Sequence, residues 1–160
     1  MAFSPDSRYF ATLDTDRSVK LWNAGTGARI ITLRTPAPAQ ALAFTPDGRT
    51  LLVRDQQQSV VYWNLQTYQR DRTISVATGN SLEPVDTNEA TAIAQPITLS
   101  PDGQTFVVPL LLPSSEPVLD LRQTEGGDRL TVLDAAFTAH FSPDNRWLVT
   151  SATTIQIWQP

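Results

Sequence analysis

Short apolar runs separated by polar turns recur along the chain of 160 residues. The runs are rich in β-branched and aromatic residues, which predicts strands. Several runs, such as Leu51-Leu52-Val53 and Phe106-Val107-Val108, are apolar at consecutive positions rather than at alternate ones. A strand has this pattern when both faces of its sheet are covered. The chain is therefore predicted to be all-β, with sheets stacked face to face.

A turn motif with Pro-Asp at its centre occurs four times between these runs. Proline presets φ at the first central position of the turn, aspartate bonds back to the backbone, and glycine or asparagine accepts the left-handed conformation that closes a hairpin. Ser7 fits that last position worst. The four copies are Phe3-Ser4-Pro5-Asp6-Ser7-Arg8, Phe44-Thr45-Pro46-Asp47-Gly48-Arg49, Leu99-Ser100-Pro101-Asp102-Gly103-Gln104 and Phe141-Ser142-Pro143-Asp144-Asn145-Arg146.

A second motif, an apolar run that usually ends in tryptophan, follows each turn motif at a nearly constant distance. Its copies are Val19-Lys20-Leu21-Trp22, Val60-Val61-Tyr62-Trp63, Leu119-Asp120-Leu121-Arg122 and Ile155-Gln156-Ile157-Trp158. Two landmarks that keep their separation through four copies indicate one supersecondary unit per copy. With the strand that follows the second motif, each unit has four antiparallel strands, which is typical of a propeller blade. The predicted units span approximately residues 1–34, 35–75, 93–133 and 134–160, with an inserted loop at 76–92.

The first unit carries the fullest set of motifs: the segment from Asp16 to Asn23 follows Phe3-Ser4-Pro5-Asp6 and precedes Gly25-Thr26-Gly27. In this combination the chain resembles the WD-repeat β-propeller family over essentially its whole length. The resemblance implies an all-β fold of the β-propeller type, with four WD-like four-stranded blades of which the last is incomplete. Trp22, Trp63 and Trp158 recur at the end of a strand, which favours packing between blades over stacking on a ligand.

Some positions depart from the family's pattern. The Gly-His pair that such repeats often carry is absent, and only Asp16 fills the usual aspartate position, with Gln57 and Ala152 in its place elsewhere. Arg122 stands where the third unit should have a tryptophan. We therefore expect apolar packing, rather than the family's polar network, to hold the blades together.

The chain opens inside the first strand of one unit and closes after the third strand of another. In the proteins it resembles, an N-terminal strand usually completes the last blade. We therefore expect Met1 to mark a truncation and the chain to be a fragment of a larger propeller, with a closed four-bladed ring and completion by a dimer as alternatives. An uncovered blade face and an unpaired strand edge would favour self-association.

Charge and composition exclude several classes of function. The chain has 12 Lys and Arg against 16 Asp and Glu, a net charge of −4, which gives no drive for binding nucleic acid. It has one histidine and no cysteine, which excludes thiol nucleophiles, disulfides and zinc sites built from Cys or His. The longest apolar run, from Val107 to Leu112, is far below the ~18 residues of a membrane helix. With no visible signal peptide, we expect a cytoplasmic protein that binds neither membranes nor a cofactor.

The candidates for chemistry each have a structural explanation. His140, Ser142 and Asp144 suggest a nucleophilic triad, but in a strand the first two share one face while Asp144 sits in the turn. The stretches Gly25-Thr26-Gly27 and Gly126-Gly127 precede no helix whose N-terminus could take a phosphate. Capping of the turn, rather than metal binding, is expected of four aspartates, Asp6, Asp47, Asp102 and Asp144. No residue is therefore predicted to be catalytic, cofactor-binding or metal-binding.

Two insertions form the predicted partner-binding surface. One is the loop at 76–92 between the second and third units, and the other runs from Pro109 to Pro117 between the second and third strands of the third unit. In a propeller both open on the same face, and insertions on one face often mark a binding site, with tolerated loop drift as the alternative. The candidate residues are Glu83, Asp86, Asn88, Glu89, Ser114, Ser115 and Glu116.

The predicted function is that of a non-catalytic scaffold that binds a protein or peptide partner on its loop-rich face. The alternative from another class is a propeller enzyme of the hydrolase or lactonase type with a cation in the central channel. Its carboxylates would be Asp14, Asp55, Asp86 and Glu116, whose spacing shows no common pattern. A truncated remnant without an independent role is the third alternative. Fold is a weak guide among these functions.

Overall fold

The computed structural model describes residues 1–76, 96–111, 117–134, 138–151 and 154–159. The chain divides into two compact units, Met1–Ser75 (unit 1) and Val76–Pro160 (unit 2), and each is described by itself. The strands are β1 (Ala2–Phe3), β2 (Tyr9–Asp14), β3 (Ser18–Asn23), β4 (Arg29–Arg34), β5 (Ala39–Phe44), β6 (Thr50–Asp55), β7 (Ser59–Asn64), β8 (Gln69–Ser75), β9 (Thr98–Leu99), β10 (Thr105–Leu111), β11 (Pro117–Gln123), β12 (Arg129–Asp134), β13 (Thr138–Phe141), β14 (Leu148–Ser151) and β15 (Ile155–Trp158).

Unit 1 contains two antiparallel sheets of four strands, each with its strands in chain order. Sheet 1 is β1-β2-β3-β4 and sheet 2 is β5-β6-β7-β8. The hairpins follow from the turn motif, because its last central residue adopts the left-handed conformation: φ is 57° at Ser7 and 69° at Gly48. Both turns confirm the conformation predicted from the sequence.

The hydroxyl and the carboxylate of the turn motif hold each turn closed. Ser4 Oγ donates to Oδ1 of Asp6 at 2.6 Å and accepts a hydrogen bond from the Tyr9 amide at 2.9 Å. The Arg8 amide donates to the same carboxylate oxygen at 3.1 Å. The same hydroxyl-to-carboxylate bond recurs in the other three turns, in the pairs Thr45 and Asp47, Ser100 and Asp102, and Ser142 and Asp144.

Alternation along the strands gives each sheet two faces. In sheet 1 the front face carries Val19 and Leu21, and the back face carries Phe10 and Trp22. The corresponding back face of sheet 2 packs on the front face of sheet 1. This packing forms the apolar core of unit 1, whose buried residues are Ala11, Val19, Leu21, Leu33, Leu42, Phe44, Leu51, Val53, Val61, Trp63 and Leu65.

Unit 2 repeats this front-to-back packing. Sheet 3 consists of β9, β10, β11 and β12, and sheet 4 consists, in the described residues, of β13, β14 and β15. The front of sheet 3, with Leu119 and Leu121, packs against Ala139 and Leu148 of sheet 4. Three sheets of four strands and one of three confirm the predicted four-stranded units with an incomplete last one. Within each unit the core between the sheets is apolar, as expected.

Candidate functional site

Strand register shows that the two insertions join sheet 3 at the same end. Thr98, at the start of β9, pairs with Val107, and β10 continues past this pair to Leu111, which pairs with Pro117 at the start of β11. The chain therefore enters β9 and passes from β10 to β11 at the same end of the sheet, here called the loop end. The turn motif between β9 and β10 lies at the opposite end, here called the turn end.

The predicted partner-binding residues lie on these two connections. Glu83, Asp86, Asn88 and Glu89 fall in residues 77–95, and Ser114, Ser115 and Glu116 fall in residues 112–116. All seven lie outside the described residues. The described structure therefore gives the places where the connections join the sheet.

A small cavity lies between sheets 3 and 4, on the loop-end half of β10. It has a volume of about 70 Å³ and is lined by Pro96, Thr98, Val107, Pro109, Thr138, Ala139 and His140. A cavity that binds a benzene-sized ring is roughly 150 Å³, so this one accommodates a short aliphatic side chain rather than an aromatic one. We call it the unit 2 cleft. Sequence reasoning missed it because its walls come from segments distant along the chain.

His140 lines the cleft, and the two residues grouped with it in the sequence, Ser142 and Asp144, bond to each other. It lies in β13 opposite Val149 and is exposed. The hydroxyl of Ser142 donates to Oδ1 of Asp144 at 2.5 Å and accepts from the Trp147 amide at 3.0 Å. Both groups are therefore engaged in closing the turn, and a structural role for His140 stays a prediction.

The turn aspartates are held as hydrogen-bond acceptors. The hydrogen bonds from the Ser4 hydroxyl and the Arg8 amide lower the pKa of Asp6. In the same way, those from the Ser142 hydroxyl and the Arg146 amide lower the pKa of Asp144. Such bonds favour the ionised form of a carboxyl group. The carboxylates are therefore engaged by their own turns.

Two of these turns contact each other in unit 2. The amide nitrogen Nδ2 of Asn145 donates to Oδ2 of Asp102 at 2.7 Å, which joins the turn motifs of sheets 3 and 4.

Asp47, in the turn of sheet 2, accepts from the Thr45 hydroxyl at 2.6 Å and the Arg49 amide at 3.0 Å. Burial raises the pKa of Asp47, but these two bonds outweigh it and the net shift is downward.

The carboxylates proposed for the enzyme alternative have local partners. Asp14 pairs with Lys20, and the hydrogen bonds from Lys20 and the Thr15 amide lower its pKa. Asp55 is buried and accepts from the amides of Gln57 and Ser59 at 3.0 and 2.9 Å, while burial raises its pKa. Asp86 and Glu116 lie outside the described residues. Across the described ranges, no group of three or more His, Cys, Asp or Glu could hold a metal ion.

The three tryptophans of the second motif have different environments. Trp63 lies in the core of unit 1 at 8% exposure. Trp22 stacks on Phe10, with ring centroids 5.9 Å apart and an angle of 5° between the planes. Trp158 is 38% exposed, and its Nε1 donates to Oγ1 of Thr150 at 3.1 Å. Packing between blades as a shared role of all three stays a prediction.

The glycine-bearing turns both lead into strands. In the first, Oδ1 of Asn23 accepts from the amides of Gly25 and Thr26, both at 2.9 Å, and Gly27 takes φ of 69° before β4. In the second, the Gly127 amide donates to the carbonyl oxygen of Gln123, and β12 follows. Both turns are hairpin connections.

A buried ionic cluster in sheet 3 was missed by the sequence reasoning. Asp120 is fully buried and accepts from Arg122 Nε at 2.8 Å and from Arg129 Nε at 3.0 Å. Arg122 also donates from Nη1 to the carbonyl oxygen of Gly127 at 2.8 Å. The sequence did carry one sign of it. In the third copy of the second motif, arginine replaces tryptophan and an aspartate stands two residues before it.

Comparisons with known proteins agree with this architecture. The family model of the WD domain, G-beta repeat, matches residues 1–23. The solved structure of Kuenenia stuttgartiensis Hydrazine Synthase is similar with a TM-score of 0.75 and 22% sequence identity, over 98% of this chain and 44% of that chain. A search of curated proteins returned no match. Among the described residues, no helix is long and apolar enough to cross a membrane.

These findings confirm the resemblance to WD-repeat propellers and the all-β, β-propeller type of fold. At this identity the structural similarity concerns the fold alone. The chain spans less than half the length of the solved structure it matches.

Proposed function

We propose that the chain is a non-catalytic platform that binds a protein or peptide partner at the loop end of unit 2. The observation that carries the proposal is the position of the unit 2 cleft beside the two long connections. Pro96 leads from the first connection into β9, and Pro109 lies in β10 shortly before the second. Binding residues are often found on loops that a rigid scaffold holds in place.

The size of the cleft favours a peptide or protein over a small molecule. Sites for small molecules usually have volumes of roughly 300–1,000 Å³. The cleft, at about 70 Å³, holds one short aliphatic side chain. Thr138 and His140, which border the cleft, are both exposed, so a partner's backbone can reach its rim. A partner would therefore insert one side chain and place its backbone across the rim.

Charge adds a second requirement for the partner. The connections at 77–95 and 112–116 contain Glu83, Asp86, Glu89 and Glu116 but no lysine or arginine. Charged groups around an interface select partners of opposite sign and accelerate their encounter. The partner is therefore a segment that carries basic residues near a short aliphatic one.

This proposal is tested with peptides that bind the whole chain and are selected from a displayed random library. Binding of the selected peptides is measured by fluorescence anisotropy for two variants that introduce the same charge. Pro96→Arg obstructs the cleft, whereas Gln104→Arg adds the charge at the turn end of the same sheet. Pro96→Arg should weaken binding at least about tenfold while Gln104→Arg changes it less than about twofold. Equal effects of the two variants, or selected peptides without basic residues, would contradict the proposal.

A further inference from the structure

The back face of sheet 1 exposes a row of aromatic rings. Phe3, Phe10 and Trp22 lie directly opposite one another on β1, β2 and β3. Their ring centroids are 5.6 Å apart for the first pair and 5.9 Å for the second. Phe3 is 59% exposed. Exposed contiguous apolar surface of this kind marks an interaction site.

The same row is covered in sheet 2. Its register aligns Phe44, Leu51 and Trp63 in the same way across β5, β6 and β7, and all three are buried. Their partner surface is the front face of sheet 1, which contributes Val19 and Leu21 to the shared core. The back row of a sheet therefore packs on the front face of another sheet in this chain.

Unit 2 has the same interface and one front face that is left exposed. Phe141 and Leu148, on the back of sheet 4, pack against the front of sheet 3. The opposite face of sheet 4 carries Ile155 and Ile157, which are 73% and 65% exposed. These isoleucines occupy the positions that correspond to Val19 and Leu21 on the front of sheet 1.

The charges on the two exposed faces are compatible with such packing. Strand β15 reads Ile-Gln-Ile-Trp and carries no charged residue. On the back of sheet 1, Asp14 pairs with Lys20, and the register of β4 places Arg29 and Arg34 on the same face. Sheet 2 has Arg70 at the position equivalent to Arg29, and its back row is nevertheless buried.

We propose that a second copy of this chain covers these surfaces, with the front of sheet 4 in one copy packed on the back of sheet 1 in the other. This contact is heterologous, because it joins two different surfaces, and it reproduces the front-to-back packing seen inside both units. The inference is independent of the partner-binding proposal, which concerns the loop end of unit 2.

Complementation between two variants tests this inference with the whole chain. Phe3→Glu places a charge in the aromatic row, and Ile157→Lys places one on the front of sheet 4. Light scattering coupled to size exclusion should show an assembly for the unmodified chain and a single-chain mass for each variant alone. An equimolar mixture of the variants should form a dimer, because the back face of one and the front face of the other are intact.

Controls separate association from folding. Leu130→Glu adds a charge to a leucine that is 47% exposed in sheet 3, and this variant should assemble like the unmodified chain. Circular dichroism verifies that each variant folds. If either one does not, Met1→Glu and Ile155→Lys, at positions that are 84% and 73% exposed, replace them.

Three results would overturn the inference. One is a single-chain mass for the unmodified chain at the highest concentration reached. Another is loss of assembly in Ile157→Lys but not in Phe3→Glu, which would show that sheet 4 pairs with its own copy. The third is a mixture of the two variants that stays at the single-chain mass, since a heterologous contact requires them to complement each other.

Discussion

Arg122 donates a hydrogen bond to the fully buried carboxylate of Asp120 at 2.8 Å, at the strand position where the other three sheets carry tryptophan. Arg129 donates to the same carboxylate from the neighbouring strand. One aspartate therefore compensates two arginines in sheet 3. Removing one member of such a buried group leaves a charge without its partner, which is costly.

Replacing Asp120 by alanine should destabilise the chain by about 3–5 kcal/mol, because Arg122 would remain buried without a counter-charge. The double variant Asp120→Val with Arg122→Trp introduces the side chains that sheet 2 has at Val61 and Trp63. It should recover most of the loss, since apolar replacement of a whole buried ionic group is often neutral or stabilising. Urea unfolding measures both. An unchanged midpoint for Asp120→Ala would contradict the structural role of the cluster.

Ser7 offers a test of backbone strain in unit 1. Its φ is 57°, where glycine is favoured, and Gly48 occupies the equivalent position in sheet 2 with φ of 69°. Ser7→Gly should stabilise the chain by up to about 1 kcal/mol, because the left-handed penalty exceeds the extra entropy that glycine loses.

The matched control is Gly48→Ser. A Cβ at Gly48 would meet nothing within 4 Å, so the effect reports the backbone alone. This variant should shift the urea midpoint downward by a similar amount. Shifts of the same sign for Ser7→Gly and Gly48→Ser would contradict the strain argument.

The turns show how far the sequence could predict the structure. Pro5-Asp6-Ser7 and its three counterparts predicted hairpins because a turn depends on neighbouring residues only. The local pattern could not predict which apolar rows are covered: Phe3 and Phe44 occupy equivalent positions, yet Phe3 is 59% exposed and Phe44 is 7% exposed. The difference arises from the sheet that packs on Phe44, which is a property of the assembled unit.

The candidate site, too, was only partly predictable from the sequence. The two insertions were evident from the repeat period, and the register of β9, β10 and β11 shows that both join sheet 3 at the same end. The cleft was not predictable, because Thr98 and His140 are brought together only when sheets 3 and 4 pack. The ionic cluster was missed because the alternation of strand residues indicates burial but not the pairing of Asp120 with two arginines.

Trp63 and Trp22 occupy equivalent positions and should respond differently to truncation. Trp63→Ala creates a cavity in the core of unit 1 and should cost about 3–5 kcal/mol. Trp22→Ala should cost clearly less, because Trp22 is half-buried and lies on the exposed back of sheet 1. Both are measured by urea unfolding in a chain that also carries Ile157→Lys, so that self-association does not cover Trp22. Equal losses would show that position in the repeat, rather than burial, determines the contribution.

The turn carboxylates should make part of the stability pH-dependent. Because hydrogen bonds from Ser4 and Arg8 lower the pKa of Asp6, its ionised form stabilises the fold above the ordinary carboxyl pKa of about 4. This contribution is lost as the pH falls through the lowered pKa of the folded state. Asp6→Asn should therefore unfold at lower urea than the unmodified chain at neutral pH, and the two should converge in acid. A gap that stays constant across this range would exclude the carboxylate as its source.

The acidic residues of the longer connection should control partner binding without affecting the fold. The triple variant Glu83→Gln, Asp86→Asn and Glu89→Gln removes the negative charges of the longer connection and should weaken binding of the basic peptides selected on the chain. Surface electrostatic attraction is screened within about 8 Å at physiological ionic strength. Added salt should therefore weaken peptide binding to the unmodified chain more than binding to the variant.

Two further variants determine whether this effect belongs to the connection itself. Glu125→Gln removes an exposed carboxylate from the turn between β11 and β12, at the turn end of sheet 3, and should leave peptide binding unchanged. Shortening the connection between Val76 and Pro96 should leave the urea midpoint nearly unchanged, because each doubling of loop length costs only about 0.6 kcal/mol. The same shortening should abolish peptide binding. If the shortened chain binds the selected peptides as tightly as the full chain, the insertion is tolerated loop drift and the binding surface lies elsewhere.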